Sequence, residues 1–116
     1  MGYYTRFEIE IIEDPDNIWE REIEAVAEKA LTDYDYENIP LMMLGGHDDT
    51  YMKWYDYAKD MKKLSDQYPS VLFGLSGEGE EPGDLWKLWA RNGKVITAKA
   101  RITFDTPNLE LELPRG

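Results

Sequence analysis

The dipeptide Asn92-Gly93 constrains the fold of this chain more than any other short segment. A tight type I′ turn needs positive φ at both central residues, and Asn-Gly accepts this geometry most readily. The flanking segments, residues 85–91 and 94–104, are rich in aromatic or β-branched side chains, which favour strands. The sequence therefore predicts a β-hairpin of two consecutive antiparallel strands in this region.

The N-terminal part of the chain carries two clear periodic patterns. Residues 3–12 alternate apolar and polar side chains, which predicts a half-buried strand. Residues 18–31 repeat apolar side chains at helical spacing, which predicts an amphipathic helix whose first turn is capped by Asp16 or Asn17. The strand residues expected on one face are Tyr3, Thr5, Phe7, Ile9 and Ile11.

The rest of the chain carries weaker patterns. Residues 51–67 predict a second helix, which ends where a proline follows, and residues 71–76 predict a strand. Residues 32–46 predict an irregular connection that could include a short strand at 41–44. Residues 109–113 alternate again and predict an edge strand.

These elements together indicate the fold class. Consecutive strands near the C-terminus imply an antiparallel sheet, with the helices segregated to one side of it. We therefore expect an α+β fold: an antiparallel sheet of four to five strands with two helices packed on one face, related to the ferredoxin-like sandwich. The 116 residues contain no linker or low-complexity segment, which predicts a single domain over residues 1–116.

Charge is the dominant global property of the chain. The 24 Asp and Glu residues outnumber the 13 Lys and Arg residues, for a formal net charge of −11. Such a surface repels nucleic acid and anionic membranes, and attracts basic proteins and cations. The absence of cysteine excludes disulfides and thiol chemistry. With no recognisable secretion signal and no apolar run of membrane-spanning length, we expect a cytoplasmic protein.

An acidic, glycine-rich loop precedes the strand that holds two tryptophans. Residues 77–84 contain four carboxylates and three glycines. Three interpretations stay open: a solvated turn that keeps a sheet edge charged, a protein-contact surface, or a Ca²⁺ or Mg²⁺ site, since those ions prefer carboxylate oxygens. The four acids are Glu78, Glu80, Glu81 and Asp84.

Little in the sequence supports catalysis. His47 is the only histidine, which excludes multi-histidine metal centres, and no serine lies in a nucleophile-elbow pattern. The segment Asp33-x-Asp35-x-Glu37 imitates the start of a calcium loop but lacks the glycine and the final glutamate that such a loop requires. We therefore assign no catalytic residue, no metal ligand and no cofactor, and we favour a non-enzymatic protein.

Trp86 and Trp89 lie on opposite faces of one predicted strand, because side chains alternate along a strand. One of the two is expected in the core. The other, beside an acidic loop, is a typical anchor for a protein interface. Stacking on single-stranded bases would need basic surroundings, and Lys87, Arg91 and Lys94 are too few against the total charge.

Three stretches of the chain are distinctive when taken together. They are residues 3–9, residues 60–69, and residues 75–94 with the motifs Gly-Glu-Gly-Glu-Glu, Gly-Asp-Leu-Trp and Asn-Gly-Lys. They resemble a group of small, uncharacterised, acidic proteins of bacteriophages and other mobile elements. The resemblance covers roughly half of the chain and implies a setting rather than a reaction: an accessory protein inside a bacterial cell, of a kind that often inhibits host defence enzymes.

The leading hypothesis is a non-enzymatic protein that binds a basic protein partner through its acidic surface, as a nucleic-acid mimic would. Direct binding to nucleic acid or membrane is not expected. Two alternatives stay open: a divalent-cation-binding protein or metal-dependent enzyme that uses the acids of residues 78–84, and a homo-oligomeric structural or regulatory subunit such as a homodimer. The residues predicted to contact the partner are Glu78, Glu80, Glu81, Asp84, Trp86, Trp89, Glu20, Glu24 and Glu28.

Overall fold

Five strands form one antiparallel sheet in the computed structural model, which describes residues 4–32, 39–44 and 50–116. Strand β1 lies between β2 and β3, and β4 and β5 continue the sheet, so that the order is β2-β1-β3-β4-β5. The predicted α+β class with an antiparallel sheet is therefore confirmed. The strands are β1 (Thr5–Glu13), β2 (Thr50–Met52), β3 (Leu72–Gly79), β4 (Leu85–Arg91) and β5 (Lys94–Lys99).

Helical segments connect and flank these strands. The segment α3 contacts β3, β4 and β5, while α2 contacts both α1 and α3. No helix in the described ranges is long and apolar enough to cross a membrane. Two expectations stay predictions: that both long helices share one face of the sheet, and that residues 1–116 form a single domain. The segments are a π-helical turn (Trp19–Ile23), α1 (Glu24–Thr32), α2 (Ile39–Met42), α3 (Tyr57–Gln67) and α4 (Leu109–Glu112).

The alternation predicted for β1 is present in the structure. Phe7 and Ile9 are buried and Ile11 is half-buried, while Glu8 and Glu10 are exposed. The strand pairing places further apolar residues beside the buried ones, so the inner face of the sheet is built from apolar rows that cross three strands. The rows are Phe7–Gly77–Trp86, Ile9–Leu75–Leu88 and Ile11–Phe73–Ala90.

An aromatic cluster joins the first of these rows to α3. The indole of Trp86 occupies the space above Gly77 in which a side chain would otherwise stand. Tyr57, the first residue of α3, stacks on Trp86 with ring centroids 4.4 Å apart, and Phe7 meets the indole edge-on at 5.8 Å. Offset and edge-on contacts of this kind each add about 0.5–1.5 kcal/mol beyond the buried area.

The first helical turn is capped by Asp14. One oxygen of its carboxylate accepts a hydrogen bond from the amide of Ile18 at 2.8 Å, and the other accepts from the amide of Trp19 at 2.7 Å. The prediction that Asp16 or Asn17 caps this turn was therefore wrong. Asn17 instead adopts positive φ (54°), so the chain turns there and brings Asp14 back to the helix start.

The Asn92-Gly93 turn is present as predicted, with φ values of 51° and 73°. Helix α3 holds this turn in place, because the hydroxyl of buried Ser65 accepts a hydrogen bond from the amide of Gly93 at 3.0 Å. Strand β5 ends at Lys99 rather than at residue 104. The amide of Ala100 still donates to the carbonyl of Leu85, the first residue of β4, at 2.8 Å.

Three other boundaries differ from the expectations. Residues 39–42 form α2 with a buried face, so the prediction of a short strand at 41–44 was wrong. The second helix begins at Tyr57, because Thr50–Met52 pairs with β1 instead. The edge strand at 109–113 was also wrong, because Asn108 caps a helical turn there and no strand lies beside it. The segments around Asp33 and His47 lie outside the described residues, as does Tyr3.

Replacing Gly77 by Ala should destabilise the protein by about 2–3 kcal/mol, because the added methyl group would overlap the Trp86 ring, which Tyr57 and Phe7 hold in place. Gly74→Ala in the same strand is the matched control. Its methyl group would meet the terminal carbon of Ile12 at 2.7 Å, and that side chain is exposed enough to move. Urea denaturation measures the free energy of unfolding of both variants. Equal losses of stability in the two variants would contradict this account.

Candidate functional site

The acidic segment predicted as a contact surface is an ordered turn between β3 and β4. The amide of Gly79 donates to the carbonyl of Asp84 at 2.8 Å, and the amide of Asp84 donates to the carbonyl of Glu81 at 3.1 Å. Gly83 adopts positive φ (82°), a conformation that glycine takes without strain. The turn therefore holds its carboxylates at the end of the sheet in defined positions.

The side chains of Glu78 and Glu80 are engaged in local structure. Glu78 forms a salt bridge with Arg6 at 2.7 Å, across paired positions of β3 and β1. The carboxylate of Glu80 accepts a hydrogen bond from the amide of Tyr4 at 3.1 Å. Glu81 is exposed and Asp84 is half-buried. The charge of this turn is thus partly neutralised, and part of it fastens the start of β1 to the end of β3.

The helical acids begin at the other end of the sheet. Glu20, Glu24 and Glu28 are exposed along the π-helical turn and α1. That turn follows the Glu13 end of β1, whereas the acidic loop lies beyond the Thr5 end. Eight residue steps of about 3.4 Å separate the two ends, or about 27 Å. The predicted contact residues therefore form two acidic groups that start from opposite ends of the sheet.

The two tryptophans face opposite sides of β4. Trp86 pairs with Gly77 on the inner face, where it packs on Tyr57. Trp89 pairs with Gly74 and is half-buried on the outer face. Both side chains are half-buried, and of the two Trp89 is the one on the outer face.

A groove of about 430 Å³ lies on the outer face of the sheet. Its floor is apolar, and charged side chains border it on both sides. The sequence patterns did not predict this groove, although the alternation in β1 and β4 already placed the residues of those two strands on one face. The residues that define it are Arg6, Glu8, Leu85, Lys87, Trp89 and Ala98.

A second groove, of about 300 Å³, opens at the edge of the aromatic cluster. Phe7, Trp54 and Tyr57 line it, with Thr5 and Asp84 as polar neighbours. The indole of Trp54 donates to Asp60 at 2.7 Å, which satisfies its polar atom. This groove offers aromatic surface to a ligand but pairs no nucleophile with a base.

Cation-binding geometry is likewise not present in the described ranges. Among residues 4–32, 39–44 and 50–116, no three Asp, Glu or His side chains come together in a group that could hold a metal ion. Within the 78–84 segment, Glu78 pairs with Arg6 and Glu80 accepts a hydrogen bond from the amide of Tyr4 instead. The structure thus adds no support to the metal-dependent alternative.

Burial raises the pKa of the Tyr68 phenol above its ordinary value of 10.0, and the negative charge of Glu22 adds to the shift. Tyr68 directly follows α3, and Glu22 lies in the π-helical turn. The shift therefore reports packing between two elements. Tyr68 lines neither groove.

No protein-family model, curated protein or solved structure matches this chain. A functional proposal for this chain therefore depends on the fold and the surfaces described above.

Stability should decrease as the pH rises above 10, because the folded protein holds the Tyr68 proton more tightly than the unfolded chain does. The contribution of Tyr68 to stability is fully present below its pKa in the unfolded chain and is lost as the pH rises through its pKa in the folded protein. Tyr68→Phe removes the titration, so its unfolding free energy should vary less steeply with pH in this range. Exposed Tyr51→Phe is the control; a Tyr68→Phe slope equal to that of the wild type would refute the assignment.

Proposed function

We propose that this protein is a non-enzymatic accessory protein that acts inside a bacterial cell by binding another protein through its acidic surface. The observation that supports this most is the segregation of its charge. Residues 85–104 hold five Lys and Arg residues and no acid, so the remaining 96 residues carry all 24 acids against eight basic residues, a net charge of −16. The acidic part of the molecule is thus more negative than the total suggests.

A basic protein surface is the partner that fits this charge. Carboxylates exposed on α1 and on the 80–84 turn can occupy positions that phosphates take in a nucleic-acid-binding groove. Binding would then release counterions from the acidic surface and steer the encounter, and both effects weaken as salt screens the charges. A host or defence protein that handles nucleic acid is the target class we propose, with this chain as a phage-type inhibitor.

Charge alone gives steering and specificity more than affinity, so an apolar contact is also required. The 80–84 turn adjoins the outer face, where Leu85 is 41% exposed and Trp89 is half-buried. Interfaces draw most of their binding energy from a few aromatic or large apolar anchors surrounded by polar residues. Glu80 and Glu81 beside Leu85 form such an arrangement at one end of the sheet.

A second copy of the chain is a further partner that we propose. The observation that favours it is separate from the acidic surface: the outer face of the sheet exposes apolar side chains together with charges of both signs.

Glu80→Gln with Glu81→Gln should weaken binding to the partner by about two- to fivefold per carboxylate at low salt, and by less at high salt. The partner is first captured from nuclease-treated bacterial lysate, then purified, and its affinity is measured across a salt series. Glu110→Gln with Glu112→Gln, in the exposed α4, changes the net charge equally and should leave the affinity unaltered.

Competition with double-stranded DNA tests the mimicry itself. DNA should displace the protein from a partner whose phosphate-binding groove it occupies. A complex that is insensitive to salt, to the loop substitutions and to DNA would overturn the proposal that the acidic surface binds.

A further inference from the structure

We infer that two copies of this chain associate through the outer faces of their sheets, about a two-fold axis parallel to the strands. The inference rests on the proposed second-copy partner and adds its interface and orientation. The outer face is the one that carries Trp89, and it is exposed among the described residues: Ile96 is 70% exposed and Leu85 is 41% exposed. Exposed apolar surface bordered by charge is typical of an interaction site.

The charges on this face are divided between its two halves. Exposed Glu8 and Glu10 stand on β1, whereas exposed Lys87 stands on β4 and exposed Lys94 on β5. Four further charged side chains neutralise each other in pairs: Arg6 with Glu78 at one end of the face, and Arg91 with Glu13 at the other. One half is therefore acidic, the other is basic, and the apolar groove with Trp89 lies between them.

This division selects the symmetry of the dimer. In a two-fold dimer the outer face of one copy packs on the outer face of the other. Each half of the face therefore lies opposite either the same half or the other half of the second copy. An axis perpendicular to the strands would place β1 of one copy over β1 of the other, so that Glu8 and Glu10 would face the same acids of the second copy. An axis parallel to the strands places β1 over β5, so that Glu8 and Glu10 face Lys87 and Lys94. Only the second arrangement is complementary in charge.

The sheet face alone is too small for a stable dimer. Four strands at about 4.8 Å spacing and about 23 Å length cover about 440 Å². A stable interface buries about 800 Å² on each partner. Further surface must therefore come from outside the sheet.

The C-terminal arm, residues 100–116, supplies this surface. Ile102 is 61% exposed and Phe104 is 87% exposed. The radius of gyration is 18.6 Å, well above the roughly 13 Å of a compact chain of this length, and the longest extent is 68 Å. Ile102 approaches Gly83 of the turn between β3 and β4, whereas Phe104 is left almost fully exposed.

The same axis explains what the arm contacts. Strands β1 and β5 run antiparallel, because three antiparallel pairings separate them. Placing β1 of one copy over β5 of the other therefore brings the start of β1 to the end of β5. Phe104 of one copy then reaches Tyr4 of the second copy, and Tyr4 is 43% exposed in the single chain. The two arms would thereby extend the interface at one end of the dimer.

A charge-reversal exchange tests this interface, with light scattering and sedimentation on the purified full chain. The wild type should be a dimer. One variant carries Glu8→Lys and Glu10→Lys, and the other carries Lys87→Glu and Lys94→Glu. Each variant alone should dimerise at least about 100-fold more weakly, since like charges then face each other. An equimolar mixture should form a heterodimer with nearly wild-type affinity, because the charges are again opposite.

Controls on helix surfaces separate the interface from net charge. Glu20→Lys with Glu24→Lys, and Lys59→Glu with Lys63→Glu, change the charge equally on exposed helical positions and should stay dimeric. Phe104→Ser should weaken the dimer at least about tenfold, because it removes an exposed aromatic anchor. Far-ultraviolet circular dichroism and melting confirm that each variant is folded.

Each outcome decides a separate point. A monomeric wild type would overturn both the second-copy partner and this interface. A dimer that tolerates either charge reversal, or a mixture that does not restore association, would overturn the interface alone. None of these results bears on binding to a basic partner, which the salt series measures independently.

Discussion

The close approach of the Trp86 ring to Gly77 is the constraint on which the rest of this structure depends. A side chain at position 77 would displace the indole, and the indole is the surface on which Tyr57 stacks at the start of α3. Phe7 completes the contact from β1. One residue without a side chain therefore brings three aromatic rings together, and through them β1, β3, β4 and α3 share a core.

The orientation of Trp86 also decides what the protein presents to its surroundings. Because side chains alternate along β4, an inward Trp86 turns Lys87 and Trp89 outward. A shift of one residue in the register would exchange the two sets and place a lysine in the core. The Asn92-Gly93 turn, held by Ser65 of α3, prevents that shift. The core and the candidate interaction surface are thus fixed by the same turn.

Local patterns predicted those parts of the fold that local chemistry determines. The alternation in β1, the bounds of Leu85–Arg91 and the Asn92-Gly93 turn each depend on neighbours within a few residues, and each is observed. Where the outcome depends on a distant partner, the patterns failed. Residues 109–113 alternate like a strand, yet the strand needs an edge to pair with, and Asn108 offers a local cap instead. The salt bridge of Arg6 with Glu78 joins distant positions, so no local pattern could reveal it.

Net charge is a poor guide to this protein because it averages surfaces of opposite charge. A uniform surface of charge −11 would resist self-association. Lys87 and Lys94 give one half of the outer face a sign opposite to that of Glu8 and Glu10 on β1, so two copies can meet there without repulsion. Association through this face would cover Glu8 and Glu10 together with Lys87 and Lys94, and would leave the carboxylates of α1 exposed on both copies. The dimer would then present those carboxylates in duplicate to a basic partner.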